Sequence, residues 1–195
     1  TASVYPALAE IPIGVSGSTP ANMTVGLASG LSMVASGLAA PTTSELALVD
    51  LIHRIEATEA GSGTQTEMAS EGRNFLLTLQ GDAVLTRTVV LDGATASQTA
   101  TSPAAAIWGD AASVQALVLD VRALSADTVI RIDELDFVAI RGQARLTGGA
   151  GANFVVGDDA QQHVLAGSAD DIVFGGGGDD RLLGGAGNDT LQGGS

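Results

Sequence analysis

An unbroken nine-residue period constrains the fold of the C-terminal part of the chain. From Gly148 the sequence divides without insertion into GGAGANFVV, GDDAQQHVL, AGSADDIVF, GGGGDDRLL and GGAGNDTLQ, followed by GGS. The eighth position is always aliphatic: Val155, Val164, Val173, Leu182 and Leu191. The sixth position always carries a side-chain oxygen: Asn153, Gln162, Asp171, Asp180 and Asp189. Two constraints that repeat together over a fixed period predict a solenoid.

These units resemble the RTX family, whose nonapeptide GGxGxDxUx, with U apolar, forms a calcium-binding parallel β-roll. The resemblance covers Gly148 to Gly194 and implies Ca²⁺ as the cofactor. Glycines at positions one, two and four permit a turn that aims carbonyl groups inward, and the aspartate at position six adds charge. Because calcium takes six to eight oxygen ligands, one loop offers too few of them.

Loops that lie two units apart are expected to share each calcium ion. Two units make one turn of such a coil, so these loops stack about one strand spacing, roughly 4.8 Å, apart. The loops 166–171 and 184–189 are the stacked pair with aspartate on both sides, and this pair is expected to bind best.

The other loops depart from the pattern. The loop that ends at Asp180 faces Gln162, so we expect its site to depend on Asp158 or Asp159 for the missing charge. The loop that ends at Asn153 is expected to bind calcium weakly or not at all. The predicted metal-site residues are therefore Gly167, Ala169, Asp171, Gly176, Gly178, Asp180, Gly185, Gly187, Asp189, Asp158 and Asp159.

Two alternatives exist for this segment. Its composition alone would suit a flexible glycine-rich linker, but a linker has no reason to keep position eight apolar. In a solenoid without metal, neighbouring carboxylates such as Asp170 with Asp171, and Asp179 with Asp180, would repel one another with nothing to offset them. The calcium-binding β-roll is the favoured interpretation.

The fold class predicted is mostly β with some α. Residues 1–145 are predicted to form an N-terminal α+β or β-rich domain, independent of calcium, and 146–195 a truncated parallel β-roll. A hairpin is predicted from strands at 23–28 and 31–35. Helices are predicted from a cap at Ser44 to Gly61 and Gly63, and over 69–79. Further strands are predicted at 84–91, 117–121, 129–132 and 135–140, with an exposed loop at 92–103.

The strand stack is predicted to begin before the glycine repeats. The apolar residues Ile130, Val138, Leu146 and Val155 follow one another at intervals of eight, eight and nine residues. This spacing continues the nonapeptide period towards the N-terminus.

The charge balance excludes several classes of partner. The formal net charge is −14, from 22 acidic residues against 8 arginines. Nucleic acids and anionic membranes repel such a surface, whereas cations are attracted to it. The chain has no cysteine, so disulfides and thiolate metal sites are excluded. No apolar run approaches the roughly 18 residues of a membrane span.

The sequence is not expected to encode an enzyme. It contains only two histidines, His53 and His163, and neither HExxH nor GxSxG. The strongest catalytic alternative is acid–base catalysis on a glycan by Asp133 with Glu134 or Asp136. These carboxylates alternate with apolar residues as the solvated face of a strand does, and we favour that interpretation.

The family resemblance also implies a context. Proteins with this repeat are typically surface adhesins, or exported hydrolases whose catalytic domain lies elsewhere, and both use a type I export system. The chain is therefore expected to be a piece of a larger secreted or cell-surface bacterial protein, non-catalytic, folding on calcium outside the cell. An adhesin with a cell-surface or matrix ligand is favoured; the alternative is an accessory segment of a secreted protease or lipase.

Overall fold

Two β-sheets carry most of the chain. The computed structural model describes residues 8–13, 23–38, 40–57, 63–79, 83–94, 102–110 and 113–194. The N-terminal strands are β1 (Ala9–Ile13), β2 (Met23–Leu27), β3 (Leu31–Gly37), β4 (Thr42–Thr43), β5 (Ala83–Gly93), β6 (Ala105–Trp108) and β7 (Val114–Asp120). The later strands are β8 (Val129–Asp133), β9 (Phe137–Arg141), β10 (Arg145–Thr147), β11 (Phe154–Val156), β12 (His163–Ser168), β13 (Ile172–Phe174), β14 (Arg181–Ala186) and β15 (Thr190–Gln192).

From β5 onwards the chain passes back and forth between the sheets. The first sheet has the order β1-β2-β6-β8-β10-β12-β14, and the second has the order β15-β13-β11-β9-β7-β5-β3. Pairings among β5 to β15 are parallel, whereas β1 to β4 pair antiparallel. The predicted class, mostly β with helices, is confirmed.

The strand register confirms that nonapeptide units stack two apart. Leu146 lies opposite Val164, which in turn lies opposite Leu182, a step of 18 residues each time. The same step relates Val155 to Val173. The preceding turns are shorter but have the same alternation, because Ile130 pairs with Leu146 and Val138 with Val155. The stack therefore begins before the glycine repeats, as the spacing predicted.

A single apolar core lies between the sheets. It extends from Met23 in β2 to Val173 in β13, and it includes position-eight residues such as Val155 and Val164. Burial of aliphatic side chains is the main favourable term for such a core. The position-eight residues become more exposed towards the last turn, where Leu191 is 44% exposed.

Two helices cover the outer face of the second sheet. Helix α1 (Ser44–Ala57) buries Ala47, Leu51 and Ile55 at helical spacing. Helix α2 (Gly63–Thr78) places Phe75 against Phe137 and Phe154, with ring centroids 5.3 and 5.6 Å away. The helices thus pack on strands that precede the repeats and on one strand within them. Neither helix in the described part of the chain is long and apolar enough to cross a membrane.

The helix predictions need two corrections. Helix α1 begins at Ser44, the residue predicted to cap it, and the Ser44 hydroxyl donates to the carbonyl of Leu79 at 3.4 Å. Gly63 does not end α1 but begins α2, which starts six residues before the predicted residue 69. The polar residues of the first α2 turns gave no apolar period to detect. Gly61 lies outside the described residues.

The predicted hairpin is wrong. Strands form at both predicted positions, but β2 belongs to the first sheet and β3 to the second. β2 pairs with β1 and β6, while β3 pairs with β5. The turn between them, with Gly30 at a φ of 94°, carries the chain from one sheet to the other. In the predicted loop at 92–103, β5 extends to Gly93, and residues 95–101 lie outside the described part.

The predicted domain boundary falls within a strand. Arg145 to Thr147 form β10, which pairs with β8 on one side and with β12 on the other. The first sheet is therefore continuous across the predicted boundary, and so is the second, because β9 pairs with β11. Separate folding of the two parts stays a prediction.

Candidate metal centre

The repeat loops form two stacks, one along each edge of the coil. The loops 148–153, 166–171 and 184–189 lead from the first sheet to the second, and we call their stack the Asp171 edge. The loops 157–162 and 175–180 lead back to the first sheet, and we call their stack the Asp180 edge. Each loop therefore faces the loop 18 residues away, not the next loop along the chain.

Left-handed backbone recurs at positions two and four of the later loops. At position two, φ is 122° for Gly167, 94° for Gly176 and 116° for Gly185. At position four it is 97° for Gly178 and 133° for Gly187. Glycine adopts this conformation without the steric cost that a Cβ imposes, so the sequence pattern fits the turn.

Ala169 adopts the same conformation despite its side chain, with a φ of 80°. By contrast, Gly149 and Gly151 in the first loop of the Asp171 edge have no such φ. The recurring loop conformation therefore begins only with the second loop of this edge.

The position-six aspartates link each loop to the loop one turn earlier. Oδ1 of Asp171 accepts a hydrogen bond from the backbone N–H of Asn153 at 2.8 Å. Oδ1 of Asp180 accepts from the backbone N–H of Gln162 at 2.8 Å. A charged acceptor strengthens such bonds, so one carboxylate oxygen per aspartate fixes the stack.

The second oxygen of Asp171 and of Asp180 has no hydrogen-bond partner. Both Oδ2 atoms are buried, and the Asp171 side chain is fully buried. Burying a carboxylate oxygen without a partner is costly unless a cation compensates it. Glycine keeps the space beside Oδ2 of Asp180, because a Cβ at Gly175 would collide with it, and Gly184 does the same for Oδ2 of Asp189. These residues fit a hard cation.

The electrostatics of both aspartates favour the same conclusion. Burial raises the pKa of Asp171, and the nearby charges of Asp189 and Asp170 raise it further. Burial also raises the pKa of Asp180, with Asp158 and Asp179 adding to the effect. A divalent ion would reverse these penalties because it favours the ionised carboxylates.

Carboxylates alone do not complete a metal site here. Within the described ranges, no three Asp, Glu or His side chains converge on one point. Calcium binds backbone carbonyls as readily as carboxylates, and the glycine turns supply those carbonyls. A calcium ion at either edge would therefore be held by one or two carboxylates and by main-chain oxygens from two loops.

The predicted site residues do not all lie in equivalent positions. Asp171 and Asp189 come together across one turn, since the backbone N–H of Asp171 donates to Oδ1 of Asp189 at 3.1 Å. Asp158 lies near Asp180 but is engaged in hydrogen bonds with its own surroundings. Asp159 is exposed.

Sequence reasoning missed a second link along the Asp171 edge. Oδ1 of Asp170, at position five, accepts a hydrogen bond from the backbone N–H of Asn188 at 2.8 Å. The polar residue at position five of most units was the sequence feature that could have predicted this link.

The catalytic alternatives have structural roles. Asp133 forms an ion pair with Arg131 at 2.7 Å. Oδ2 of Asp136 accepts a hydrogen bond from the backbone N–H of Gln115 at 2.7 Å, at the start of β7. His53 is exposed on α1. Both oxygens of Asp133 and Oδ2 of Asp136 therefore take part in contacts that hold the fold.

Comparison with known proteins agrees with the loop geometry. The family model described as RTX calcium-binding nonapeptide repeat (4 copies) matches residues 142–160 and 164–195. No curated protein and no solved structure matches the chain. Both the matched repeats and the stacked loops with unpartnered carboxylate oxygens lie in the same segment. The C-terminal part of this chain consists of RTX calcium-binding nonapeptide repeats, which bind Ca²⁺.

Proposed function

We propose that the C-terminal coil is a parallel β-roll that completes its folding when calcium binds outside the cell, within a secreted bacterial protein. The observation that carries this proposal is the unpartnered, fully buried Oδ2 of Asp171. In the absence of a cation, that oxygen destabilises the folded loops. With calcium between the loops, the same oxygen stabilises them.

The coupling of calcium to folding follows from the stacking. An ion between two loops of one edge joins residues that are 18 positions apart, so it can bind only when both turns of the coil have formed. A ligand that binds only the folded state stabilises that state, by a free energy that grows with the logarithm of the ligand concentration relative to its dissociation constant. Calcium is scarce in the cytosol and abundant outside, so folding of this segment would follow export.

The Asp171 edge carries the strongest proposed site. Asp171 and Asp189 face each other across one turn, with Gly167 and Gly185 in register beside them. Among the described loops, this is the stacked pair with aspartate at position six on both sides, and the left-handed turns add main-chain carbonyl oxygens to those two carboxylates. We therefore assign the tightest calcium site to the loops 166–171 and 184–189.

Circular dichroism and thermal unfolding of the whole chain test this function. The chain is compared in EGTA, in excess calcium and in the same concentration of magnesium. Calcium at 100 times its dissociation constant should stabilise the folded state by about 2.7 kcal/mol per site, and magnesium should do much less. Identical strand content and unfolding temperature in EGTA and calcium would refute the proposal.

The finer part of the proposal is a non-catalytic role at the cell surface. Its support is the structural use of the candidate catalytic carboxylates, Asp133 and Asp136, together with the resemblance of the repeats to those of adhesins. Binding of the labelled chain to cells and to matrix glycans, with and without calcium, tests it. Calcium-dependent binding is expected; hydrolysis of a casein or ester substrate by the chain would favour the hydrolase alternative.

A further inference from the structure

Gln162 is buried at the Asp180 edge with its amide held in one orientation. The residue is only 1% exposed. Its Nε2 donates to Oδ1 of Asp158 at 2.6 Å. A carboxylate can only accept a hydrogen bond, so the amide nitrogen must face Asp158 and Oε1 must point the other way.

Oε1 of Gln162 is a buried oxygen without a hydrogen-bond partner. It points at the first-position glycine of its own unit, since a Cβ at Gly157 would collide with it. The carbonyl oxygen of Gly175 would collide with the same Cβ. The amide oxygen of Gln162 and the carbonyl oxygen of Gly175, from the loop one turn later on this edge, thus lie close to the same point. Two neutral oxygens do not stabilise each other unless a hydrogen-bond donor or a cation lies between them.

The same arrangement recurs one turn later around Asp180. Its Oδ2 is also buried and without a partner, and it points at Gly175, the first-position glycine of its unit. The backbone N–H of Gln162 donates to Oδ1 of Asp180 at 2.8 Å, which holds the two residues in register. Two unpartnered oxygens are therefore stacked across one turn of this edge, a neutral amide oxygen on Gln162 and a carboxylate oxygen on Asp180.

Asp158 has its carboxylate oxygens engaged elsewhere. Oδ1 accepts hydrogen bonds from Nε2 of Gln162 and from the backbone N–H of Ala160, at 2.6 and 3.0 Å. Oδ2 accepts from the backbone N–H of Gly142 at 2.8 Å. The sequence favoured Asp158 or Asp159 as a substitute ligand, whereas these contacts make Asp158 the group that orients Gln162.

Asn153 shows the opposite arrangement at the other edge. It also occupies position six, but its Nδ2 donates to the carbonyl of Gly151 at 2.5 Å and to Oδ1 of Asp171 at 3.3 Å. Its nitrogen therefore faces the oxygens that would otherwise bind an ion. The same amide chemistry disfavours a cation at Asn153 and favours one at Gln162.

We infer that Gln162 is a calcium ligand through Oε1, in a second site shared with Oδ2 of Asp180 between the loops 157–162 and 175–180, and that Asp158 positions Gln162. This inference rests on the proposed calcium-dependent function. Gln162 lies outside the residues that match the repeat family, and the nonapeptide pattern has aspartate at this position. The site has one formal charge fewer than the Asp171 site and should bind more weakly.

Calcium titration by calorimetry on the full chain tests the assignment. Gln162→Met keeps a long apolar stem and removes Oε1, so it should bind one calcium ion fewer than the unmodified chain. Gln161→Met is the matched control, because Gln161 is exposed and its Nε2 donates to the carbonyl of Asp179 instead. This control should bind the same number of ions as the unmodified chain.

Gln162→Glu provides the second variant, which keeps the test decisive if Gln162→Met does not fold. Glutamate retains an oxygen towards the site but places a second carboxylate against Asp158. We expect it to keep the ion, with an unfolding temperature in EGTA below that of the unmodified chain. An unchanged ion count in Gln162→Met, or loss of the ion in Gln162→Glu, overturns the assignment. If the unmodified chain binds no calcium, the proposed function itself fails.

Discussion

Oδ1 of Asp189 accepts a hydrogen bond from the backbone N–H of Asp171 at 3.1 Å, across one full turn of the coil. The two aspartates therefore belong to one loop pair, although 18 residues separate them. This relationship determines which carboxylates should act together and which should act independently.

Asp171→Ala and Asp189→Ala should each disable the same calcium site. In saturating calcium each variant should lose the stabilisation from that site, about 2.7 kcal/mol at 100 times the dissociation constant. The double variant should lose little more than either single variant, because the interaction is already absent. Thermal unfolding of the three variants in calcium and in EGTA measures this coupling.

Asp180→Ala is the control for that cycle. Asp180 lies on the opposite edge, so its effect should add to that of Asp171→Ala. Additivity of Asp171 with Asp189, together with redundancy of Asp171 with Asp180, would mean that loops adjacent along the chain share ions.

Leu146→Ala and Leu191→Ala should differ strongly, although Leu191 occupies position eight and Leu146 lies nine residues before Val155 on the same apolar spacing. Leu146 is 1% exposed in the core between the sheets, whereas Leu191 is 44% exposed at the last strand. Truncating a buried leucine costs about 2–5 kcal/mol, and an exposed one much less. Urea denaturation in excess calcium, which holds the coil folded, measures the difference.

Leu146→Ala also tests whether the chain has one folding unit or two. Leu146 contacts a core that extends from β2 to β13, so Leu146→Ala should destabilise the helices and the early strands along with the repeats. A single shifted transition, followed by helix and strand signals alike, is expected. Two transitions, with only the later one shifted, would support separate domains at 1–145 and 146–195.

Asp136→Asn should change how stability depends on pH. Burial raises the pKa of Asp136 above its ordinary value of 3.8, so the folded chain holds this proton more tightly than the unfolded chain. The contribution of Asp136 to stability is therefore complete below pH 3.8 and is lost as pH rises through the folded pKa. Asparagine has no such loss, and its side-chain oxygen can still accept from the backbone N–H of Gln115.

The measurement is the difference in unfolding free energy between Asp136→Asn and the unmodified chain, in the absence of calcium, across the acid range. The variant should gain relative stability as pH rises from below 3.8 towards neutrality. A difference that stays constant, or that changes in the opposite direction, would show that burial does not raise the pKa of Asp136 in the folded chain.

The repeat geometry was predictable because two independent constraints recur with one period. An apolar residue at position eight and an oxygen at position six fix both the core and the edges of the coil, and the register of Val155 with Val173 follows. The earlier turns were predictable for the same reason, since Ile130 and Val138 continue the apolar spacing.

Other features depend on contacts that no local pattern encodes. The strands β2 and β3 were predicted, but the alternation of apolar and polar residues within them does not indicate which sheet each strand joins. Strand β6 has only four residues, and two of them are alanine, which is depleted in strands. The role of Gln162 depends on the side chain of Asp158, whose hydrogen bond orients the amide. The sequence alone shows that position six of this unit is not aspartate, and it does not identify which residue binds calcium instead.

The position of the ions tests the central claim most directly. A crystal structure of the calcium-loaded chain, with anomalous data that identify calcium, should show an ion between the loops 166–171 and 184–189. Oxygens of Asp171 or Asp189 and main-chain carbonyls should lie about 2.3–2.6 Å from it. An ion held within a single loop, or between loops adjacent along the chain, or no ion at either edge would contradict the account.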